Sequence, residues 1–113
     1  MAQRAYAPYS GFRVGAVLLA VDGDLFDGVN IENVAYGASL CAERAAVAGA
    51  VSAGTRDFTA LAVVADDGSD ISPCGSCRQV LMEFSPDMVL VTRGPEGVRV
   101  ERLSELLPRA FRP

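Results

Sequence analysis

The chain contains three cysteines, Cys41, Cys74 and Cys77, and their setting is what could do chemistry. Cys41 opens the run Cys41-Ala42-Glu43, and the other two frame Pro73-Cys74-Gly75-Ser76-Cys77. A Cys-x-Glu followed roughly thirty residues later by Pro-Cys-x-x-Cys supplies three soft thiolate ligands and one carboxylate not needed as a ligand. That is the donor set of a catalytic zinc whose fourth position is left to water. Cys74 and Cys77 alone would also suit a thioredoxin-like dithiol or half of a structural zinc site. The redox reading gives Cys41 and Glu43 no role, and a closed structural site would have only Glu43 or an aspartate to complete it.

Absent residue types narrow the chemistry further. The chain has no histidine, lysine or tryptophan. This removes Schiff-base lysines, a phosphate-cradling lysine, Ser-His and Cys-His nucleophilic pairs, and every imidazole zinc ligand. A general acid or base must then be a carboxylate, a tyrosine or a thiol. The net charge is −4 and the ten basic residues are arginines scattered from Arg4 to Arg112, so no basic stripe exists for nucleic acid. An odd cysteine count, no charged-then-apolar leader over Met1 to Ser10 and no apolar run near about twenty residues argue against secretion or a membrane span. A cytoplasmic protein is expected. At 113 residues, residues 1–113 are expected to form one domain.

The elements that must position these residues follow from apolar runs and turn signals. Val14 to Val21 is an unbroken apolar run that reads as a strand buried on both faces, and Leu25 to Ile31 reads as its hairpin partner across Asp22-Gly23-Asp24. Leu61 to Ala65 and Met88 to Val91 are further continuous runs, and Val98 to Val100 is a weak last strand. Strands without a polar face need cover on both sides, which predicts a three-layer α/β/α sandwich. Ser39 is the predicted N-cap of a helix over Leu40 to Ala53, and Ser72 that of a helix over Pro73 to Phe84 with Pro73 at the first helical position. Each reading puts a cysteine, Cys41 or Cys74, at the second helical position, where unpaired N–H groups and the helix dipole favour thiolate. Cys74 and Cys77, three apart, share one helix face. After Arg44 the first helix runs Ala45 to Val51 with no polar side, which implies burial in a symmetric oligomer. Leu103 to Leu107 is a short closing helix stopped by Pro108. Asn30 and Glu32, two apart near a strand end, send their side chains from the same face.

The sequence resembles the cytidine deaminase family, in its small, single-domain homotetrameric branch. The resemblance rests on Ala5-Tyr6-Ala7-Pro8-Tyr9-Ser10, Phe12-Arg13-Val14-Gly15-Ala16, Asn30-Ile31-Glu32-Asn33, Tyr36-Gly37, Cys41-Ala42-Glu43-Arg44, Pro73-Cys74-Gly75-Ser76-Cys77-Arg78-Gln79-Val80 and Leu106-Leu107-Pro108. It implies a five-stranded mixed sheet, one zinc ion per subunit on Cys41, Cys74 and Cys77, and hydrolysis of cytidine or deoxycytidine to the uracil nucleoside and ammonia in pyrimidine salvage. Within it, Glu43 is the proton carrier. Arg44 hydrogen-bonds the thiolates, offsetting the −1 charge that three thiolates leave on a divalent zinc. Asn30 and Glu32 bind the ribose hydroxyls, Phe12 packs against the pyrimidine, and the Ala42 N–H faces the 2-oxo group. Tyr36 and Phe111 resemble residues that reach into a neighbouring subunit's pocket, so the sites of a homotetramer would be shared. A sister deaminase of another cytosine compound, such as blasticidin S, and a non-catalytic zinc-binding subunit remain as alternatives. The family usually has a helix where only Met1 to Arg4 stand here, so one sheet face or subunit contact is expected to be thinner. Arg109-Ala110 replaces the common Gly-Ala before the final Phe.

Overall fold

The structure is a computed structural model that describes residues 1–111; Arg112 and Pro113, the last residues of the expected domain, lie outside the described residues. Strands β1 (Val14–Ala20), β2 (Leu25–Val29), β3 (Phe58–Ala65), β4 (Val89–Gly94) and β5 (Gly97–Arg102) form one sheet in the order β2-β1-β3-β4-β5. Helices α1 (Ala42–Ser52), α2 (Gly75–Phe84) and α3 (Leu103–Leu106) complete the α/β fold, with single 3-10 turns at Ala2–Arg4 and Tyr36–Ala38. The sheet is mixed because β3 and β4 run parallel, joined through α2, while every other neighbouring pair is antiparallel. A parallel pair needs such a crossover, and the crossover helix begins beyond the carboxyl end of β3.

Alternation along the strands decides which face is core. Val14, Ala16, Leu18 and Ala20 of β1 are buried with Leu61 and Val63 of β3 and Leu90 of β4. Ala42, Ala46, Val47 and Ala50 of α1, Leu81 and Met82 of α2, and Leu103 close over that same face. The layers are therefore unequal. On the opposite face the 3-10 turn Ala2–Arg4 sits over Gly15, where a Cβ would meet Ala2 at 3.3 Å. Val17 and Leu19 are only half-buried, so β1 is not buried on both faces as its composition predicts.

Both helices start two residues later than predicted. Leu40 is held extended by reciprocal hydrogen bonds with Ile31, and Cys41 is still extended at ψ 154°, so Ala42 is the first helical residue. The Ser39 hydroxyl accepts the Asn33 N–H instead of capping. Likewise Cys74 is extended at ψ 170°, Pro73 lies before the helix, and the Ser72 hydroxyl accepts from Arg78. The two cysteines are thus the N-cap residues themselves, two positions earlier than the second helical position that the sequence suggests, and still beside the unpaired N–H groups of the first turn.

The first strands join through the predicted turn at Asp22-Gly23-Asp24, with Gly23 at φ +98°. Among the described residues no helix is long and apolar enough to cross a membrane.

Candidate metal centre and adjoining strand end

The N-termini of α1 and α2 converge and bring the three thiols together. The Sγ atoms of Cys41 and Cys74 are 4.0 Å apart and those of Cys74 and Cys77 3.5 Å apart, all three lying within 4.8 Å of one another. Zinc–sulfur bonds of about 2.3 Å in tetrahedral geometry require sulfurs about 3.8 Å apart. The observed separations straddle that value, and none of the three cysteines is in a disulfide. Cys77 is buried and Cys74 exposed, so the cluster has a closed floor and an open mouth.

The charges around the thiols also fit a divalent cation. Burial pushes the Cys77 thiol strongly up, reinforced by the charges of Glu43 and Cys41. Burial acts in the same direction on Cys74, but the N–H groups of Cys77 and Ser76 and the neighbouring thiols outweigh it and leave Cys74 lowered. Three thiolates and a carboxylate packed this closely repel one another, and a divalent cation is what lets them coexist.

Glu43, in the first turn of α1, is 5% exposed. Burial raises its carboxyl above the ordinary range, against the pull of its own N–H, the Cys77 thiol and the Arg44 charge. A raised carboxyl beside a metal site is suited to carrying protons. Arg44 Nη2 donates to Cys41 Sγ at 3.2 Å, and this bond, more than the opposing burial, holds the guanidinium firmly charged. Its Nε is buried without a hydrogen-bond partner among the described residues. Ala42 is wholly buried at the start of α1, where its N–H is one of the donors the helix leaves free.

The strand-end segment lies directly beside this centre, because Ile31 pairs with Leu40, the residue before Cys41. Asn30 and Glu32, on either side of Ile31 and just past the end of β2, are therefore tied to the stretch that leads into Cys41. Asn30 Oδ1 accepts the Val14 N–H at 2.8 Å, and its Nδ2 donates to the Phe12 carbonyl at 2.8 Å. Glu32 Oε1 accepts the N–H groups of Tyr9 at 3.0 Å and Ser10 at 3.1 Å, while Oε2 accepts the Ser10 hydroxyl. Phe12 is 38% exposed. Tyr36 is exposed and meets Tyr9 edge to face at 6.0 Å between ring centroids. Phe111 is exposed, its backbone gripped by Gln79, whose Nε2 donates to the Phe111 carbonyl at 3.0 Å while its Oε1 accepts the Phe111 N–H at 3.3 Å.

The work of several supporting residues becomes visible only in the fold. Arg78 donates to the carbonyls of Pro73 and Leu106, both at 2.8 Å, and to the Ser72 hydroxyl at 3.0 Å, tying the loop that carries Cys74 to α3. Gly28 of β2 lies so close to α1 that a Cβ there would come 2.3 Å from the Ala42 carbonyl and 2.5 Å from the Ala46 nitrogen. Ser10 and Gln79 stood inside recognisable motifs, but only the folded contacts give them work.

An α/β fold whose helix starts present a zinc-type thiol triad beside a buried glutamate defines a class of zinc-dependent hydrolytic deaminases. The family model described as the cytidine and deoxycytidylate deaminase zinc-binding region matches residues 1–93, and the chain belongs to that family. It is 50% identical over 111 residues to a cytidine deaminase of Sporosarcina psychrophila, covering 96% of this chain and 82% of that one. It is 49% identical over 107 residues to the cytidine deaminase of Mycobacterium tuberculosis, covering 95% and 78%. Among solved structures, the cytidine deaminase of Burkholderia pseudomallei superposes with a TM-score of 0.91 at 46% identity, covering 97% of this chain and 90% of that one. The metal of the centre is zinc, one ion per chain, in keeping with the thiol geometry.

Proposed function

We propose that this protein is a cytidine deaminase that hydrolyses cytidine or deoxycytidine to the uracil nucleoside and ammonia. The observation that carries the reading is the convergence of Cys41, Cys74 and Cys77 next to the buried Glu43, with the Asn30–Glu32 segment pinned alongside. When bound, zinc supplies Lewis acidity that makes a hydroxide equivalent available near neutral pH. Glu43 takes the proton from the attacking water, passes it to ring nitrogen N3, and delivers a proton to the departing amino group. The C4–N bond breaks as ammonia leaves, and the incoming oxygen stays on C4.

Asn30 and Glu32 hold the sugar hydroxyls, Phe12 packs on the pyrimidine, and the Ala42 N–H meets the 2-oxo group. After its contact with Phe12 and Val14, the Asn30 amide keeps one donor and one acceptor position for a hydroxyl. Arg44 offsets the charge of the thiolates.

In the same reading residues 1–113 are one deaminase domain acting in the cytoplasm in pyrimidine salvage, as a homotetramer whose active sites are shared. The exposed Tyr36 and Phe111, and the half-open apolar sheet face, support an assembly that covers them. Tyr36 and Phe111 then contribute to a neighbour's pocket.

Turnover of cytidine followed by its ultraviolet absorbance tests the proposal. The expected result is loss of the cytidine band, abolished by a strong chelator and restored by zinc. A zinc-loaded protein inert on every cytosine nucleoside would sink it, and preference for an antibiotic such as blasticidin S would transfer the chemistry to a different substrate.

A further inference from the structure

From Tyr6 to Phe12 the loop ahead of β1 makes its polar contacts beyond itself with the Asn30–Glu32 segment. Tyr6 brackets Ile31, its N–H donating to the Asn30 carbonyl at 3.0 Å and its carbonyl accepting the Glu32 N–H at 2.8 Å. Gly11, at φ +70°, turns the chain where a side chain would be strained. That turn lets the Ser10 hydroxyl accept the Phe12 N–H at 3.0 Å while donating to Glu32 Oε2. The Phe12 carbonyl is taken by Asn30 Nδ2. Both polar backbone groups of Phe12 are thus held, directly or through Ser10, by the two side chains proposed to bind the sugar.

We propose that Ser10 is a positioning residue for nucleoside binding, whose hydroxyl locks the Glu32 carboxylate to the Phe12 backbone so that the sugar-binding and base-packing groups move as one unit. The inference rests on the cytidine deaminase reading above and deepens it. A carboxylate has about four acceptor positions. Two on Oε1 are filled by the N–H groups of Tyr9 and Ser10, and Ser10 Oγ fills one on Oε2, which leaves a single, fixed position for a ligand hydroxyl. Without the Ser10 hydroxyl that oxygen could rotate, and the Phe12 N–H would turn to water. Ser10 and Phe12 are exposed and outside the core, so little folding energy depends on this contact, and its loss should be felt in ligand binding.

The test compares Ser10→Ala, Ser10→Thr, Glu32→Gln and the double variant Ser10→Ala/Glu32→Gln, using cytidine kinetics and calorimetric binding of uridine. A hydrogen bond to a charged group contributes enough for about a tenfold effect. Ser10→Ala should raise KM for cytidine and Kd for uridine about tenfold, with kcat within about twofold, zinc content unchanged and melting temperature nearly unchanged. Ser10→Thr keeps the hydroxyl and should restore binding. In the double variant the two losses should not multiply, because both break the same link. Unchanged KM and Kd in Ser10→Ala, a loss confined to kcat, failure of threonine to rescue, or multiplying losses would each overturn the inference. An unaltered, zinc-loaded protein that turns over no cytosine nucleoside overturns the functional reading with it; an active one with Ser10→Ala indistinguishable overturns this inference alone.

Discussion

Arg44 donates from Nη2 to the Sγ of Cys41 at 3.2 Å, one helical turn along α1 from the residue it serves. The contact puts a permanent positive charge against a site that carries three thiolates, and three thiolates on one divalent zinc leave an excess negative charge that weakens it as a Lewis acid. Arg44→Gln keeps most of the stem but removes the charge. The expected outcome is a kcat about 10- to 100-fold lower with zinc still bound at one per chain by elemental analysis. Arg44→Lys should recover only part, since a point charge on a flexible stem cannot reproduce the planar fork. Full activity in Arg44→Gln would show that the guanidinium is only a surface group.

Gly28→Ala should damage the site from a distance. The added methyl would fall 2.3 Å from the Ala42 carbonyl, so β2 or the first turn of α1 must move, and with it Cys41, Ala42 and Glu43. Overpacking of this kind costs about 1–3 kcal/mol and often more against rigid backbone. A urea midpoint shifted down together with weakened zinc retention during dialysis is the expected pair of results. Wild-type behaviour on both counts would mean that the contact relaxes freely.

The thiol triad and the strand runs were legible in the sequence because each is written in residue types, soft ligands at metal spacing and continuous apolar segments. The helix starts were not, since a serine ahead of an apolar run looks like a cap until its hydroxyl is seen bonded elsewhere, as those of Ser39 and Ser72 are. The second face of β1 was misjudged for a related reason. Val17 and Leu19 are as apolar as Ala16 and Leu18, and composition alone does not say what lies opposite them. The couplings of Ser10 to Glu32 and of Gln79 to Phe111 join residues 22 and 32 positions apart, and only the closed fold brings them together.

Glu32 makes stability depend on pH in a definite direction. The Ser10 hydroxyl is the main cause of a carboxyl held below its ordinary range, opposed by slight desolvation and helped by the N–H groups of Ser10 and Tyr9. A depressed folded pKa means that the unfolded chain binds the proton more readily. The contribution is therefore complete above the unfolded value of about 4.3 and disappears as pH falls through the lower folded value. Glu32→Gln should be only slightly less stable than the unaltered protein in urea at neutral pH, as befits an exposed carboxylate, with the small gap closing in strong acid. A gap of constant size across that range would show that the shape of the side chain matters and its charge does not.

Glu43→Gln separates proton transfer from every other function of the site. The amide has nearly the same volume, so a residue only 5% exposed is replaced without a cavity, and the thiol triad and its zinc should persist. What is lost is the carboxyl whose pKa burial has raised, the group able both to accept a proton from water and to return it to N3 and the leaving amine. General acid–base catalysis contributes about 10²- to 10⁴-fold per group, and one carboxylate serving successive transfers should approach the upper end. The expected variant binds zinc at one per chain and uridine within a few-fold of normal, yet turns over cytidine about 10³- to 10⁴-fold more slowly. A variant that keeps its rate would place the proton carrier elsewhere, and the chain without histidine or lysine offers only tyrosines, thiols and other carboxylates to take its place.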